Sequence, residues 1–449
     1  MSFLPRIKCG VNCGGNHENS KKLYVSGQLT MHEGSKVVII GGGIIGAATA
    51  YYLKQKGWSV TIIDKDQFGY GASHGNCGLI VPDHILPLNS TDNLIKGIGW
   101  VFKKDAPLLI KPRFDPALAK WLMKFVLHCN QKDIGVSAQG RAAIMHGAID
   151  LYHGLISKEA LDCDWEVKGA LHIFKSRKEF EKYGSADALK KKFDVDETPL
   201  DRKSLLKQEP AVGDKVAGAW FSRHTAHFRP DSLMKELKRV LIRKGVQIIE
   251  QAEVTGFQSK KNKVVAAVTG QKHFPADQFV VATGAWAPLL NKALGCRLPI
   301  QPGKGYSITM PQSQNSPSIP CFFQETGVVI TPWERDIRLG GTMEFAGYDE
   351  SLNRVRLDAL LHAAQSYLRD VKFSNIKDEW YGWRPMTCDG LPIIDRSPRL
   401  ENVMIAAGHN MLGLTMAPGT GKLVSERNRL NRIFYDLIKI SLTKFKEHH

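Results

Sequence analysis

The sequence predicts an α/β fold in which a parallel, doubly wound sheet is made discontinuous by a second, α+β domain built on an antiparallel sheet. Three observations predict it. A continuously apolar run at 37–40 passes through glycines into a helical pattern and out to a second apolar run at 59–63, and two such strands joined by a helix must be parallel. Residues 298–346 instead alternate apolar and polar, as antiparallel strands do. No Pro/Gly/Ser-rich linker cuts the chain and nothing repeats at a fixed period, so the chain is expected to cross between domains several times.

The elements follow in order. A helix is expected from Ile44 to Lys56, closed by Gly57, and the second strand covers 59–63. Helices at 117–128, 142–155 and 179–192 dominate the next stretch, with a strand in 166–174. An amphipathic helix at 231–244 lies behind Pro230 and ends at Gly245. Strands are expected at 246–250, 252–258, 264–269 and 279–283, then at 306–310, 328–331 and 337–342, and a helix at 354–367.

The chain has 449 residues, 43% hydrophobic and 23% charged, which suits a globular protein with a large core. No run approaches the ~18 apolar residues of a membrane span. The eight cysteines include no C-x-x-C pair, which argues for buried thiols in a reducing compartment rather than a zinc ribbon or disulfide scaffold. Lys+Arg 61 against Asp+Glu 44 leaves +17, an excess that favours acidic partners. The basic residues are scattered and no RNA-recognition or finger spacing is present, so solvated faces are the better reading and no nucleic-acid partner is expected. Residues 1–35 carry no apolar signal segment and are read as an extension of unknown use. A cytoplasmic location follows, with peripheral attachment to the membrane left open.

Gly41-Gly42-Gly43-Ile44-Ile45-Gly46 fits G-x-G-x-x-G, with the strand before it and the helix after it that the motif requires. Glycines there allow a tight turn, close approach of backbone N–H groups to a pyrophosphate, and close helix–strand contact. Asp64 ends the second strand, 64 − 43 = 21 residues beyond the middle glycine, where an acid holds a ribose hydroxyl; Lys65 follows it. An Asp at this place disfavours a 2′-phosphate. The next segment is a small-residue loop, Gly69 to Leu79, holding Ala72, Ser73, Asn76, Cys77 and Gly78. Two more glycine turns come later, Thr283-Gly284 and Gly408-His409 with Leu412-Gly413-Leu414-Thr415; Val254 lies among the strands between. Three distant loops converging on one long cofactor with a planar ring point to FAD, and the first layer is a Rossmann-like FAD-binding domain. No metal site is expected.

At these residues the sequence resembles the D-amino-acid oxidase superfamily of FAD enzymes, on the side of the bacterial D-amino-acid dehydrogenases, over about 36–425. The resemblance rests on Gly71-Ala72-Ser73 with Asn76 and Gly78, Pro302-Gly303-Lys304-Gly305-Tyr306-Ser307, Arg338-Leu339-Gly340-Gly341-Thr342, Gly382-Trp383-Arg384-Pro385-Met386 with Asp389-Gly390-Leu391-Pro392, and Gly408-His409 with Leu412-Gly413. It implies hydride transfer from the Cα of a D-amino acid to flavin N5, with electrons passed to a quinone or other respiratory acceptor. An oxidase or dehydrogenase of glycine, sarcosine or hydroxy-D-proline, and a non-catalytic flavoprotein assembly factor, remain as alternatives. The resemblance places Arg384 on the substrate carboxylate, Tyr306 as a second donor, His409 at the flavin pyrimidine edge, Arg338 where relatives carry a lysine over the flavin, and His227 near the substrate. Relatives with covalent flavin carry a histidine where this chain has Gly75, so FAD is expected to be non-covalent; Cys388 is read as a packing residue.

The expected domains are FAD-binding over 36–95, 215–290 and 376–425, and substrate-binding over 96–214 and 291–375. Residues 426–449 form a basic amphipathic tail, with Leu430, Phe434, Leu437, Ile438 and Phe445 at helical spacing. Two readings of the tail stand: a helix packed on the FAD domain, or one lying on anionic lipid.

Overall fold

The computed structural model describes residues 34–100, 106–185, 190–193 and 195–426; the extension up to 33 and the tail from 427 lie outside them. The apolar run at 37–40 becomes β1 (Lys36–Ile40), buried along its length beyond Lys36. Helix α1 (Ile44–Gln55) and β2 (Ser59–Ile63) complete the first unit, with Ile39 facing Ile62 and Ile40 facing Ile63 in parallel register. The sheet has six strands in the order Ile393–Arg396, Val403–Ala407, Gln278–Val281, β1, β2, Gln247–Ile249. All pairings are parallel except the first. The chain therefore leaves β1 in one direction for β2 and returns on the other side at Gln278–Val281, which opens a crevice beyond the carboxyl end of β1.

The second large sheet has nine strands, chiefly antiparallel, in the order Asp378–Thr387, Ile300–Pro311, Asp336–Phe345, Val328–Pro332, Cys321–Phe323, Ala170–Phe174, Gly218–Ser222, Glu197–Asp201, with Leu108–Ile110 beside Asp336–Phe345. Gly218–Ser222 and Asp378–Thr387 belong to this sheet although both fall in ranges expected for the FAD-binding domain. Their apolar pattern marks a strand but carries no information about which sheet takes it.

The helix expected over 142–155 is two helices, Gln131–Met145 and Ala148–Glu159, broken at Gly147, whose φ of 68° is left-handed. The strand expected at 252–258 begins only at Gly256 and joins a small three-stranded sheet. Among the described residues no helix is long and apolar enough to cross a membrane, and the six described cysteines are free.

Candidate active site

The glycines of the first turn do three different things. Gly41 has φ 106°, and a Cβ there would sit 2.5 Å from the Ala282 carbonyl oxygen, where the neighbouring strand ends. A Cβ on Gly46 would fall 1.9 Å from the Gly41 carbonyl oxygen, so this glycine lets α1 lie on the turn. Gly43 alone looks into open space, meeting only Ser73 Oγ at 3.4 Å, and it caps α1 with no side chain of its own. The Ile44 amide donates to Ser73 Oγ at 3.0 Å, tying the small-residue loop to the helix N-terminus. Asp64 accepts from the Gly42 amide at 2.5 Å and the Asp66 amide at 2.9 Å; burial raises its carboxyl above the usual range against the pull of these two amides.

The turn and its helix N-terminus open on a cavity of about 920 Å³. Gly41, Gly43, Ile44, Ile45, Asp64, Lys65, Ala72, Ser73, Asn76, Cys77, Val254, Thr283 and Gly284 all reach it, as do Leu412, Gly413 and Leu414 from the last glycine segment. Lys65 lies over the Trp286 ring, 4.4 Å from its centroid. Gly46, Gly78, Gly408 and Thr415 are not on the wall; they hold it in place. A Cβ on Gly78 would meet the Phe228 carbonyl oxygen at 1.9 Å, one on Gly408 would meet Thr387 at 2.6 Å, and Thr415 Oγ1 accepts from the Val81 amide at 3.1 Å.

The nine-stranded sheet forms the floor. Directly paired residues share a face, so Trp380, Ser307, Gly340, Val329, Phe322 and His172 form one row across six strands. All but Ser307 line the cavity. A Cβ on Gly340 would lie 2.3 Å from Cys77 Sγ, so its bareness admits the loop onto the sheet. Trp380 covers Gly75 so closely that a Cβ there would fall 1.9 Å from its ring.

Arg384, from the same strand as Trp380, lays its guanidinium across Gly305, donating to the Thr342 carbonyl at 2.8 Å and the Gly341 carbonyl at 3.4 Å. It lines the cavity, and no carboxylate partners it among the described residues. Burial draws its pKa below the usual value, with only Cys77 acting the other way. A half-buried guanidinium with two carbonyl partners is underpaired, and a bound carboxylate would complete it.

The other expected catalytic residues have these surroundings. Arg338 does not line the cavity: it donates to Thr309 Oγ1 and to the carbonyls of His74 and Asn76, at 2.8, 2.7 and 2.9 Å, and so clamps the loop to the sheet. It shares a face with Gly340, but the loop lies between it and the cavity. His227 lies in the two-residue strand Ala226–His227, paired antiparallel with Leu79–Ile80, is fully buried and stays off the wall; desolvation pushes its pKa down to about 4. Tyr306 touches the cavity wall but alternates with Ser307, so its ring lies on the opposite face of the sheet in the core with Ile308 and Leu360, where its hydroxyl donates to Glu344 at 2.9 Å. His409 reaches the wall, yet its Nε2 pairs with Thr420 Oγ1 at 3.0 Å and burial pushes its pKa down to about 3. It supplies no positive charge; the N-terminus of the helix Gly413–Ser425 is the positive end facing that region.

One part of the wall carried no motif. Asp83, His84, Arg141, His172, Tyr183 and Lys190 form a polar bay at the far end of the Phe322 row. His172 stacks on Phe322 with centroids 4.6 Å apart, and Lys190 donates to Glu197 at 2.5 Å. Desolvation holds His84 and His172 uncharged, each pushed down to about 3.

Residues 36–427 match the family model described as "DAO: FAD dependent oxidoreductase". The chain belongs to this family. A D-amino acid dehydrogenase of Paramagnetospirillum magneticum is 30% identical over 398 residues, covering 87% of this chain and 94% of its own. Among solved structures, glycine oxidase from Geobacillus kaustophilus superposes with a TM-score of 0.72 at 21% identity, covering 92% of this chain and all of the other. L-proline dehydrogenase from P. horikoshii gives 0.69 at 20%, covering 92% and 99%. At these identities the two structures establish the fold alone.

As a member of the DAO family the chain is an FAD-dependent oxidoreductase, and its residues fit the cofactor. The bare Gly43 at a helix N-terminus suits a pyrophosphate, Asp64 at the end of β2 suits a ribose, and Thr283 Oγ1 is a buried polar atom with no partner among the described residues.

Proposed function

We propose that this enzyme oxidises D-amino acids at Cα and passes the electrons to a respiratory acceptor. The observation that carries the reading is Arg384, a half-buried guanidinium on the cavity floor, bonded only to carbonyls among the described residues and open to a substrate carboxylate. The curated relatives named D-amino acid dehydrogenase favour the D configuration. FAD, when bound, supplies the hydride acceptor. The protein's part is to fix the carboxylate by a planar fork, turn Cα toward the ring, and exclude water with the apolar wall of Trp380, Val329 and Phe322. No acid–base triad is required: the amine must be neutral to lose hydride, and a largely apolar wall disfavours the ammonium form.

The cofactor is held without a covalent bond. At Gly75, where covalently flavinylated relatives of the resemblance carry histidine, Trp380 leaves no room for a side chain. Acid precipitation should release all the FAD into the supernatant. Substrate class is tested by anaerobic mixing with D- and L-amino acids, glycine, sarcosine and hydroxy-D-proline while following flavin absorbance. Bleaching by D-amino acids in preference to the rest supports the reading. Bleaching by glycine or sarcosine alone would reassign the substrate, and bleaching by none would overturn it.

A further inference from the structure

The polar bay at the far end of the cavity floor holds buried donors that have no acceptors. Arg141, on the helix Gln131–Met145, is more than nine-tenths buried and lines the cavity. Its guanidinium makes one hydrogen bond among the described residues, to the His84 carbonyl at 2.9 Å, and its Nε has no partner. Burial pushes its pKa down to about 9, and no carboxylate among the described residues opposes that. His172 is the second such donor. The amide nitrogen of Gln324 stands 2.9 Å from its Nδ1, and an amide nitrogen only donates, so the imidazole proton sits on Nε2. That N–H is buried and unpaired, 3.8 Å from the Glu197 carboxylate. Two unpaired buried donors in one bay point to a ligand.

The charges of the bay decide what kind of ligand. Lys190 and Tyr183 both donate to Glu197, at 2.5 and 2.9 Å, which closes that pair. Asp83 remains, its carboxylate accepting only from Ser222 Oγ at 2.5 Å among the described residues. With His84 and His172 uncharged, the cations Arg141 and Lys190 balance the carboxylates of Asp83 and Glu197, and the bay is neutral. A charged side chain brought here would lose its hydration without a net countercharge, and would meet either Asp83 or Arg141 as a like charge. An apolar one would leave both donors unpaired. A carboxamide fits, because its oxygen accepts from Arg141 Nε or His172 Nε2 while its NH2 donates to Asp83.

The spacing sets the length. Arg384 rests over the strand Asp336–Phe345, donating to the carbonyls of Gly341 and Thr342, and the strand of His172 lies three places further along the sheet. At about 4.8 Å per strand the separation is roughly 14 Å. With a hydrogen bond of about 3 Å at each end, the gap matches glutamine, whose carboxylate and carboxamide carbons are four bonds apart. Alanine does not reach.

We propose that the bay of Arg141, Asp83 and His172 is the enzyme's side-chain subsite and selects D-amino acids that end in a carboxamide, D-glutamine above others. This deepens the reading that Arg384 holds the α-carboxylate of a D-amino acid, and rests on it.

The test follows flavin bleaching in the FAD-loaded full chain, mixed anaerobically with glutamine, methionine, glutamate and alanine in both configurations. D-Methionine matches D-glutamine in length but leaves the donors unpaired, so its half-saturating concentration should be at least about thirtyfold higher. D-Glutamate should trail D-glutamine by about tenfold, and Asp83→Asn, which removes the like charge, should narrow that gap. Arg141→Met should cut the preference for D-glutamine over D-methionine to about threefold or less, with the FAD content and flavin spectrum of wild type. Tighter saturation by D-glutamate than by D-glutamine in wild type would overturn the proposal. Loss of FAD or a displaced flavin band in folded Arg141→Met would also overturn it, and would assign the bay to the flavin edge. The wild-type panel decides even where a variant does not fold. Bleaching by D-alanine and D-methionine as readily as by D-glutamine overturns the subsite alone. Bleaching by no amino acid of either configuration overturns the functional reading and the subsite with it.

Discussion

The cradle around α1 and the floor of the nine-stranded sheet meet at one cavity, yet they are built from different kinds of information. The cradle is local: a strand, a turn and a helix contiguous in sequence, with contacts made by backbone amides and bare Cα positions. The floor is assembled across strands drawn from 170 to 384, and its contacts are made by side chains. Binding a pyrophosphate through backbone leaves a mark in sequence, because only glycine permits the approach. A row such as Trp380, Ser307, Gly340, Val329, Phe322 and His172 leaves none, because each member is an ordinary strand residue until register places it.

The comparison breaks first at Gly43. Gly43→Val should leave a folded protein without FAD, since the side chain would project into the open space that now meets only Ser73. Equal flavin absorbance per mole in the purified variant would show that the cradle does not hold the pyrophosphate.

Arg338 tests the junction of the two regions. Arg338→Met keeps the bulk but removes three hydrogen bonds, two of which pin the loop carbonyls of His74 and Asn76 to the sheet. A loss of about 3 kcal/mol is expected from unsatisfied buried carbonyls, with weaker retention of FAD, measured by urea unfolding and cofactor release. An unchanged unfolding midpoint with an altered oxygen reaction would return Arg338 to the flavin.

Protons sharpen the comparison further. His84, His172 and His409 are pushed down to about 3 and His227 to about 4 by burial. The unfolded chain takes up protons near pH 6.5, which the folded one refuses, so stability is full above that pH and falls as pH drops toward 4. Each histidine contributes at most about 1.4 kcal/mol per pH unit in that window. Denaturant midpoints at pH 7, 6 and 5 should fall progressively. Of the four, the resemblance placed His409 and His227 at the site, and single His→Gln variants assign the slope.

Much of the fold was legible. β1, α1 and β2 stand where the apolar runs and glycines put them, and 306–310, 328–331 and 337–342 lie in antiparallel strands of one sheet. The parallel strand Ala170–Phe174 was legible as a strand, but not as the far edge of the cavity floor. Within the site, charge and hydrogen-bonding type were readable and direction was not. Arg338 and Arg384 are both arginines on strands of the same sheet, the first buried and the second half-buried, and the loop between residues 74 and 76 takes the first as a backbone clamp while the other faces the cavity. Tyr306 was expected as a donor to substrate, but its hydroxyl donates instead to Glu344 across the strand pair.

The account turns on Arg384 as the carboxylate anchor, and rapid anaerobic mixing of wild type and Arg384→Ala with the best D-amino acid tests this directly. Truncating one partner of a buried charge pair costs about 2–5 kcal/mol. The substrate concentration giving half-maximal flavin reduction should therefore rise at least about thirtyfold, while FAD content stays that of wild type. The same half-saturating concentration in both proteins would contradict the account and move the anchor away from the sheet floor.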